Sequence, residues 1–523
     1  MEQVKRLSDP AEIQRLVNEQ VEAERAIYSS PVEHEPCTGE IPSDEIMEYL
    51  DRNQDGDAEL LARLLKNRFV FDHAAGRWYI FNGNFWQEDL TGEALQSVGK
   101  AAAIYEFEYQ RQVWLRLKAI KEHDKHEENS CNKNMSRLIN RIKLIQSLKW
   151  KRDVLVLACS GKGTLGITGQ EWDKLDMELA CANGVINLKD GSLRQGMPED
   201  YIKTMAPIEW KGIDEPCPAW VLFLAEVFGD NVTLVDFIQR LFGSGIIGRV
   251  IHHIIVILWG IGRNGKGTML ETLRCVLGDY ALKTESEILL EQKNARQAGA
   301  PNSAVLSLRG KRIVWASETS DSGKLNVAKV KELVGGDTLN ARGIYGKHHI
   351  QFEPSHLLLL LTNHKPIAPA NDYALWQRII LVPFERSFVE NPEAPHESKS
   401  DLYLIDKLKA EASGILAWLV RGCITFRKKG LNPPDCVKVA TKEYRKEEDL
   451  IERFLNDRCV TGETYETQAG ILYKVYQSWA EEMGLKPISG IKFGKEISQR
   501  FDSYQKRHVY YIGLSLNTGQ EGD

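Results

Sequence analysis

Three short, continuous runs of apolar residues lie in the middle of this 523-residue chain, at 254–259, 312–317 and 357–361. Runs of this length without polar alternation are typical of strands in a parallel sheet that is covered on both faces. In such sheets, ligands bind beyond the carboxyl ends of the strands. The pattern therefore predicts an α/β core, with the residues that follow each run meeting at one edge of the sheet.

The first run is followed by a glycine-rich segment and then by a helical pattern that begins at Met269. Strand, glycine-rich turn and helix form the context of a phosphate-binding loop, because glycines let backbone N–H groups approach the phosphates and the helix N-terminus adds partial positive charge. Lys266 can reach the β- and γ-phosphates of a nucleotide. The predicted nucleotide-binding residues are Gly260, Gly262, Asn264, Gly265, Lys266, Gly267 and Thr268.

The other two runs are followed by a carboxylate, Glu318, and a carboxamide, Asn363. Phosphoryl transfer to water requires a positioned nucleophile and cations that offset the spreading negative charge. Glu318 is predicted to orient and polarise the water, and Asn363 to hold that water or the γ-phosphate. Lys266 would neutralise charge. Arg378 is the candidate arginine finger, because it lies beyond the third strand, where it could reach a neighbouring subunit's site.

Each of these residues also has a purely structural interpretation. Glu318 could cap a strand end. Asn363 could close a turn, and Arg378 could pair with Asp372. The ordered set behind a glycine-rich loop favours an ATPase over these separate explanations.

Composition narrows the choice of partners. The net charge of −6 does not indicate nucleic-acid binding by the surface as a whole, so DNA contacts must come from local basic clusters. One such cluster, at 133–152, has no acidic residue, although such runs are more often solvated helix faces.

Nine cysteines without a Cys-x-x-Cys pair favour a reducing compartment. Without a signal-peptide core or an apolar run of ~20 residues, we expect a cytosolic protein with no membrane partner.

Two further motif-like segments are interpreted as false matches. Residues 51–56 copy the first half of a calcium loop, but the twelfth position, which should be a bidentate Glu, is Ala62. Residues 161–164 echo the glycine-lysine spelling, but Val156 stands where the leading glycine belongs. The first is predicted to be a polar turn between helices.

The central region resembles the superfamily 3 DNA helicases of AAA+ type, in the class of phage and plasmid primase–helicases related to the poxvirus replicative helicase-primase. Order and spacing agree over roughly 130 residues, which makes the likeness specific. The matching runs are 260–268, 311–318, 330–342, 362–366, 372–379 and 383–384. Weaker likeness to the terminal domains of that class lies at 55–58, 76–79, 183–191, 439–445 and 472–476.

The resemblance implies an AAA+-like P-loop ATPase core with a parallel sheet, an α+β amino-terminal domain and a carboxy-terminal winged helix. The predicted segments are a polar helical appendage (1–60), the α+β domain (61–215), a helical linker and oligomerisation segment (216–250), the ATPase core (251–390), a helical connector (391–436) and the winged helix (437–523). The last of these is predicted as three helices followed by strands.

The resemblance also implies a homo-oligomer, a hexameric ring, that uses ATP and Mg²⁺ to move from 3′ to 5′ along single-stranded and forked DNA. The DNA that it replicates would belong to a phage, a plasmid or another mobile element, and the cytosol would be that of the host cell. Residues 342–352 resemble the hairpin that projects into the ring channel. Arg342, Lys347 and His348 are its candidate DNA contacts, with Lys347 on the phosphates. Without the resemblance, a lysine on a solvated hairpin would be the simpler interpretation.

This chain departs from the family pattern at three positions. Gly267 follows the loop lysine where Ser or Thr usually binds Mg²⁺, so Thr268 or water would take that place. Ser317 precedes Glu318 where the wider superfamily often has an acid. Magnesium would then be held mainly by phosphates, water and Glu318. Gln377 stands where many relatives carry a second arginine.

An origin-binding initiator, in which ATP controls assembly and the winged helix binds duplex DNA, is the main alternative to the helicase. A small-molecule kinase would explain neither the finger nor the terminal modules. Residues 1–215 show neither a zinc-binding cysteine set nor a convincing acidic triad, so we expect no primer synthesis by this chain. A separate primase or initiator is a candidate partner.

Overall fold

The computed structural model describes residues 41–291, 302–317, 323–342 and 350–517. The chain divides into two compact units, one formed by Met1–Lys66 with Gly92–Leu165 and the other by Asn67–Thr91 with Gly166–Asp523. None of the helices found in these described ranges is long and apolar enough to cross a membrane.

The described part of the first unit is helical. Its helices are α1 (Ser43–Asp51), α2 (Asn53–Leu65), α3 (Glu93–Ser97), α4 (Gly99–Glu122), α5 (Lys125–Ile145) and α6 (Leu148–Ala158). The long helices α4 and α5 pack against each other. His123, with a left-handed φ of 53°, ends α4, and the side chain of Asp124 caps α5 by accepting from two backbone N–H groups of its first turn.

A buried ion pair lies inside this unit. Asp57 is fully buried, and its carboxylate accepts hydrogen bonds, each at 2.7–2.8 Å, from Arg141, Tyr105 and Trp150. Arg141 also donates to backbone carbonyls at the end of α1 and the start of α2. The segment 51–56, whose spelling resembles a calcium loop, is therefore a helix–helix junction held by a guanidinium.

The second unit begins with two small sheets. One has the order β3-β2-β1-β4 and is built from β1 (Phe69–Asp72), β2 (Arg77–Phe81), β3 (Trp86–Glu88) and β4 (Gly166–Ile167). The other is antiparallel and contains β5 (Glu178–Cys181), β6 (Gly184–Asn187) and β7 (Leu193–Arg194). The pairs β2–β3 and β6–β7 are antiparallel hairpins.

The central region of this unit alternates helices and strands. In chain order it contains α7 (Pro218–Val227), α8 (Val232–Gly245), β8 (Ile255–Trp259), α9 (Lys266–Leu277), β9 (Ala281–Thr284), α10 (Ser303–Leu306), β10 (Ile313–Ser317), α11 (Val327–Val334), β11 (Leu339–Ala341), β12 (Ile350–Phe352), β13 (Leu357–Thr362), α12 (Tyr373–Trp376), β14 (Ile379–Pro383), β15 (Ser387–Val389), β16 (Glu397–Lys399), α13 (Leu404–Ala410), α14 (Ala412–Lys429) and α15 (Asp435–Glu448).

Five of these strands form a parallel sheet in the order β14-β8-β13-β10-β9. Alternate residues of β8 enter different cores: Ile255 and Ile257 pack in one cluster, and Val256 and Leu258 in the other. Because both faces are covered, every position of the strand is apolar. The predicted parallel sheet is confirmed, and its carboxyl edge collects the ends of all three apolar runs.

The last part of the chain is a small helix-and-strand module. It contains α16 (Leu450–Arg458), β17 (Cys459–Gln468), α17 (Ala469–Glu482), α18 (Gly490–Ser498), β18 (Ser503–Gln505) and β19 (Val509–Leu516). Its antiparallel sheet has the order β17-β19-β18, and Phe454, Tyr476, Trp479 and Phe493 are buried in its core. The expected order of helices before strands is wrong at one point, because the mostly exposed strand β17 precedes α17.

Candidate nucleotide-binding site

The glycine-rich segment leaves β8 at Gly260 and enters α9 at Lys266. A Cβ at Gly260 would lie 2.2 Å from the carbonyl oxygen of Phe384, so no side chain fits there. Gly265 precedes α9 with a left-handed φ of 83°, and a Cβ there would lie 2.7 Å from Val227 Cγ2. Both positions require glycine. The resulting turn presents the N-terminus of α9, whose first N–H groups and dipole favour an anion.

Lys266 is buried within this turn, with 6% of its surface exposed. Its Nζ donates to the carbonyl of Gly260 at 2.5 Å and to Asn363 Oδ1 at 3.4 Å. Burial lowers the pKa of Lys266 to about 8. A buried cation with a depressed pKa regains its charge when an anion binds beside it, which is the property that a phosphate ligand requires.

Asn363 reaches the same turn from the neighbouring strand. β13 and β8 are parallel neighbours whose last residues, Thr362 and Trp259, lie opposite each other. Asn363 therefore lies just beyond the carboxyl ends of these strands. Its Oδ1 accepts a hydrogen bond from the backbone N–H of Gly262 at 3.3 Å, in addition to the contact with Lys266. The fold therefore brings together two of the residues that the sequence singled out for phosphate chemistry.

A pocket of about 390 Å³ opens at this edge. This volume is within the range of small-ligand sites. Backbone and side-chain polar groups of the loop face residues from the ends of β10 and β13 across it. Its lining residues are Gly262, Arg263, Asn264, Gly265, Lys266, Gly267, Thr268, Ser317, Leu361, Thr362 and Asn363.

The third predicted side chain follows β10. Ser317 ends this strand, lies opposite Leu361 of β13 and lines the pocket. Glu318 comes next in the chain but lies outside the described residues, so its role as the water-orienting carboxylate stays a prediction.

The pocket also bears on the expected magnesium ion. Thr268 contributes a hydroxyl to the lining, Gly267 has no side chain, and the described lining residues include no carboxylate. Across the part of the chain that the structure describes, no group of three or more His, Cys, Asp or Glu is arranged to hold a metal. This donor set fits Mg²⁺ that arrives on nucleotide phosphates and keeps water ligands, as that ion usually does.

Arg378 lies at the opposite side of the sheet from the pocket, at the amino ends of its strands. It immediately precedes β14, and its carbonyl accepts a hydrogen bond from the N–H of Ile255, the first residue of β8, at 2.8 Å. Its Nη1 donates to the carbonyl of Ala374 at 2.7 Å. Asp372, the structural partner considered for it, accepts hydrogen bonds from Lys331 at 2.8 and 2.9 Å.

The predicted DNA-binding segment is flanked by two short strands. β11 and β12 are antiparallel, with Ala341 opposite Ile350. Arg342 follows β11 directly, and its carbonyl accepts a hydrogen bond from the N–H of Asn302 at 2.9 Å. Lys347 and His348 lie outside the described residues, so their DNA contacts stay predictions.

Some residues that shape the pocket were given no role from the sequence. The Phe384 carbonyl accepts from Asn264 Nδ2 at 3.3 Å, while its N–H donates to Trp259 at 2.7 Å. Arg263 has a left-handed φ of 49°, unusual for a non-glycine residue, and its backbone carbonyl accepts a hydrogen bond from the N–H of Phe388 at 2.7 Å. The segment after β14 therefore braces the loop from outside. In the sequence, this segment is marked only by Phe384, which belongs to the run 383–384 that resembles the helicase family.

Two family descriptions match parts of this chain. Residues 58–229 match the family described as D5 N terminal like, and residues 446–517 match the family described as Poxvirus D5 protein-like. The two matches lie on either side of the candidate nucleotide-binding region, which neither of them includes.

Curated viral proteins are similar over longer stretches. A protein named putative helicase L207/L206 of Acanthamoeba polyphaga mimivirus is 26% identical, over 80% of this chain and 45% of the relative. Putative helicase 022R of Frog virus 3 is 24% identical, over 66% and 42%. Putative primase C962R of African swine fever virus (strain Badajoz 1971 Vero-adapted) is 27% identical, over 46% and 26%. The chain thus spans less than half the length of these relatives.

Among solved structures, the apo structure of the NrS-1 C terminal region aligns with a TM-score of 0.48 and 12% identity, over 88% of this chain and 99% of that one.

Proposed function

We propose that this chain is an ATP-driven DNA helicase that acts in the replication of a virus or other mobile element. The observation that carries the proposal is the meeting of Lys266 and Asn363, 3.4 Å apart, in a pocket at the carboxyl edge of a parallel sheet. A glycine turn with a buried lysine suits triphosphate binding, and a carboxamide on the adjacent strand suits hydrolysis. The similarity to viral proteins named putative helicases and primases supports DNA as the partner.

The roles of the pocket residues follow from the charge that develops during hydrolysis. Lys266 would offset charge on the β- and γ-phosphates, and Asn363 would hold the γ-phosphate or the attacking water. Glu318 would accept hydrogen bonds from that water and orient it for attack. When bound, Mg²⁺ would contribute Lewis-acid charge stabilisation, with Thr268 and Glu318 as its nearest protein groups.

The proposed assembly is a homo-oligomeric ring, a hexamer, with AAA+ architecture. Arg378 would serve the phosphates of a neighbouring subunit, since it lies at the sheet edge away from its own pocket. Arg342, Lys347 and His348 would contact a single strand in the channel, where one cation per subunit suffices to follow the phosphate backbone. Movement from 3′ to 5′ along this strand completes the proposal, with a separate primase or initiator as a further partner.

The origin-binding initiator remains the second candidate, and the C-terminal module favours it. We infer a winged helix here, because α16, β17, α17, α18, β18 and β19 follow one another in the order of that fold. One face of α18 exposes Ile491, Lys492 and Lys495, while Phe493 and Ile497 face the core. An exposed basic helix face of this kind would suit the major groove of duplex DNA.

DNA-stimulated ATP turnover distinguishes the two candidates. The helicase proposal predicts hydrolysis that rises with single-stranded DNA and is lost in Glu318→Gln, which keeps the shape of the side chain but cannot act as the carboxylate. Absence of turnover in the wild-type protein, together with tight binding of origin duplex, would favour the initiator and remove the helicase proposal.

A further inference from the structure

Lys365 lies two residues beyond Asn363, yet it is not among the residues that line the pocket. Its Nζ lies 4.4 Å from the centroid of the Trp259 ring, within cation–π range. Trp259 ends β8 and immediately precedes the glycine turn. One side chain therefore links the strand that carries the phosphate loop to the segment that carries Asn363.

The same ammonium is held from its other side by α15. Its Nζ lies 2.6 and 2.9 Å from the two carboxylate oxygens of Glu447, and 5.8 Å from the ring centroid of Tyr444. The Lys365 side chain is 16% exposed. Tyr444 is fully buried, and its hydroxyl donates to the carbonyl of Pro366. The lysine is thus clamped between an aromatic ring at the phosphate loop and a carboxylate on a helix.

The segment after Lys365 is held by α15 through its main chain. The N–H of Ala368 donates to Glu448 at 2.8 Å, and Arg445 donates to the carbonyl of Ala370 at 3.1 Å. Burial raises the pKa of Glu448. These contacts fix the far part of the segment to the helix, whereas Lys365 provides the attachment nearest Asn363 and the one that also reaches β8.

We propose that Lys365 is a positioning residue for Asn363. Its charge, held between Trp259 and Glu447, sets the distance between the Asn363 carboxamide and the phosphate turn. The inference rests on the proposed ATPase and adds a residue that acts through another side chain without touching the nucleotide. Loss of the clamp would displace Asn363 during hydrolysis, when its position matters most, and would leave the glycine turn and Lys266 in place to bind ATP.

A simpler interpretation is that Lys365 forms an ordinary ion pair that only adds stability. Surface ion pairs usually contribute little, and removing one leaves turnover unchanged. The two interpretations differ in kcat, because a displacement of about 1 Å at a reacting centre lowers the rate up to about a hundredfold, whereas a loss of stability does not.

The test compares steady-state ATP hydrolysis by the full chain, with single-stranded DNA present, in four variants. Lys365→Met removes the charge and keeps the length of the side chain, Lys365→Arg keeps the charge, and Glu447→Gln weakens the clamp while leaving the lysine. Lys438→Met is the matched control, because it removes an exposed ion pair with Asp435 on the same helix. We expect kcat to fall about tenfold or more in Lys365→Met, with KM for ATP changed less than about threefold.

The remaining variants complete the inference. Lys365→Arg is expected to recover most of the lost kcat, Glu447→Gln to show an intermediate loss, and Lys438→Met to match the wild type. Wild-type kcat in Lys365→Met, or a change confined to KM, would overturn the positioning role while leaving the ATPase proposal intact. If Lys365→Met does not fold, Glu447→Gln decides, since an unchanged kcat there overturns the inference. Failure of the wild type to hydrolyse ATP would instead remove the proposed function.

Discussion

Arg378 lies at the amino ends of the strands of the parallel sheet, and Lys266 lies at their carboxyl ends. The carbonyl of Arg378 accepts the N–H of Ile255 at the start of β8, whereas Lys266 Nζ contacts Gly260, just past its end. Five residues at ~3.3 Å each separate these points by about 16 Å along the strand. An arginine side chain is shorter than that distance, so the guanidinium of Arg378 cannot reach Lys266 of its own chain.

The first prediction concerns the proposed action of Arg378 on the pocket of a neighbouring subunit. Arg378→Ala is expected to lower ATP turnover by about a thousandfold or more, as loss of an arginine finger does, with nearly unchanged ATP binding. In mixed assemblies, an excess of Lys266→Ala subunits should restore turnover, because each lends an intact Arg378 to its neighbour's working pocket. Turnover is measured across mixing ratios, and no rescue at any ratio would count against action in trans.

A second prediction concerns the carboxamide beside Lys266. Asn363→Ala is expected to lower kcat by about tenfold to a hundredfold with little change in ATP affinity, because a preformed hydrogen-bonding group is lost from the site of charge development. Asn363→Asp should be at least as impaired, since it places a like charge beside the γ-phosphate. The measurements are kcat and the Kd of a slowly hydrolysed ATP analogue. An unchanged kcat in both variants would exclude Asn363 from the reaction.

The third prediction is a pH dependence of ATP binding. Burial lowers the pKa of Lys266 to about 8, so the empty site loses its cation as the pH rises through that value. A bound phosphate favours the charged form, so binding above this pH requires proton uptake and should weaken by up to about tenfold per pH unit. Lys266→Arg should flatten this dependence, because arginine stays charged. A Kd that is constant from pH 7 to 9.5 in the wild type would contradict the assignment.

A fourth prediction concerns the contribution of the buried Asp57–Arg141 ion pair to the stability of the first unit. Asp57→Ala would leave the Arg141 guanidinium buried without its carboxylate, and such a change typically costs about 3–5 kcal/mol of unfolding free energy. Asp55→Ala is the matched control, because this carboxylate is exposed on the same helix. Denaturant unfolding followed by circular dichroism gives both values. Equal midpoints for the two variants would show that the ion pair does not stabilise the unit.

The strands and their chemical ends could be predicted because burial on both faces leaves a direct trace in the sequence. The run at 357–361 predicts Asn363, and the run at 254–259 with its glycine-rich turn predicts Lys266, but neither pattern indicates that β13 lies beside β8. β17 was missed because its exposed, threonine- and glutamate-rich face resembles a loop. The pairing of Asp57 with Arg141 spans 84 residues and leaves no periodic pattern. Long-range polar contacts of this kind require the fold.

Strand displacement on forked DNA tests the motor most directly. With ATP, the wild-type protein is predicted to unwind a substrate that has a 3′ single-stranded tail, and Asn363→Ala to leave it intact. Lys347→Ala should keep basal hydrolysis but lose both unwinding and stimulation by DNA, and unchanged unwinding in that variant would remove the hairpin assignment. Wild-type protein that hydrolyses ATP yet displaces no strand from any forked substrate would contradict the helicase account.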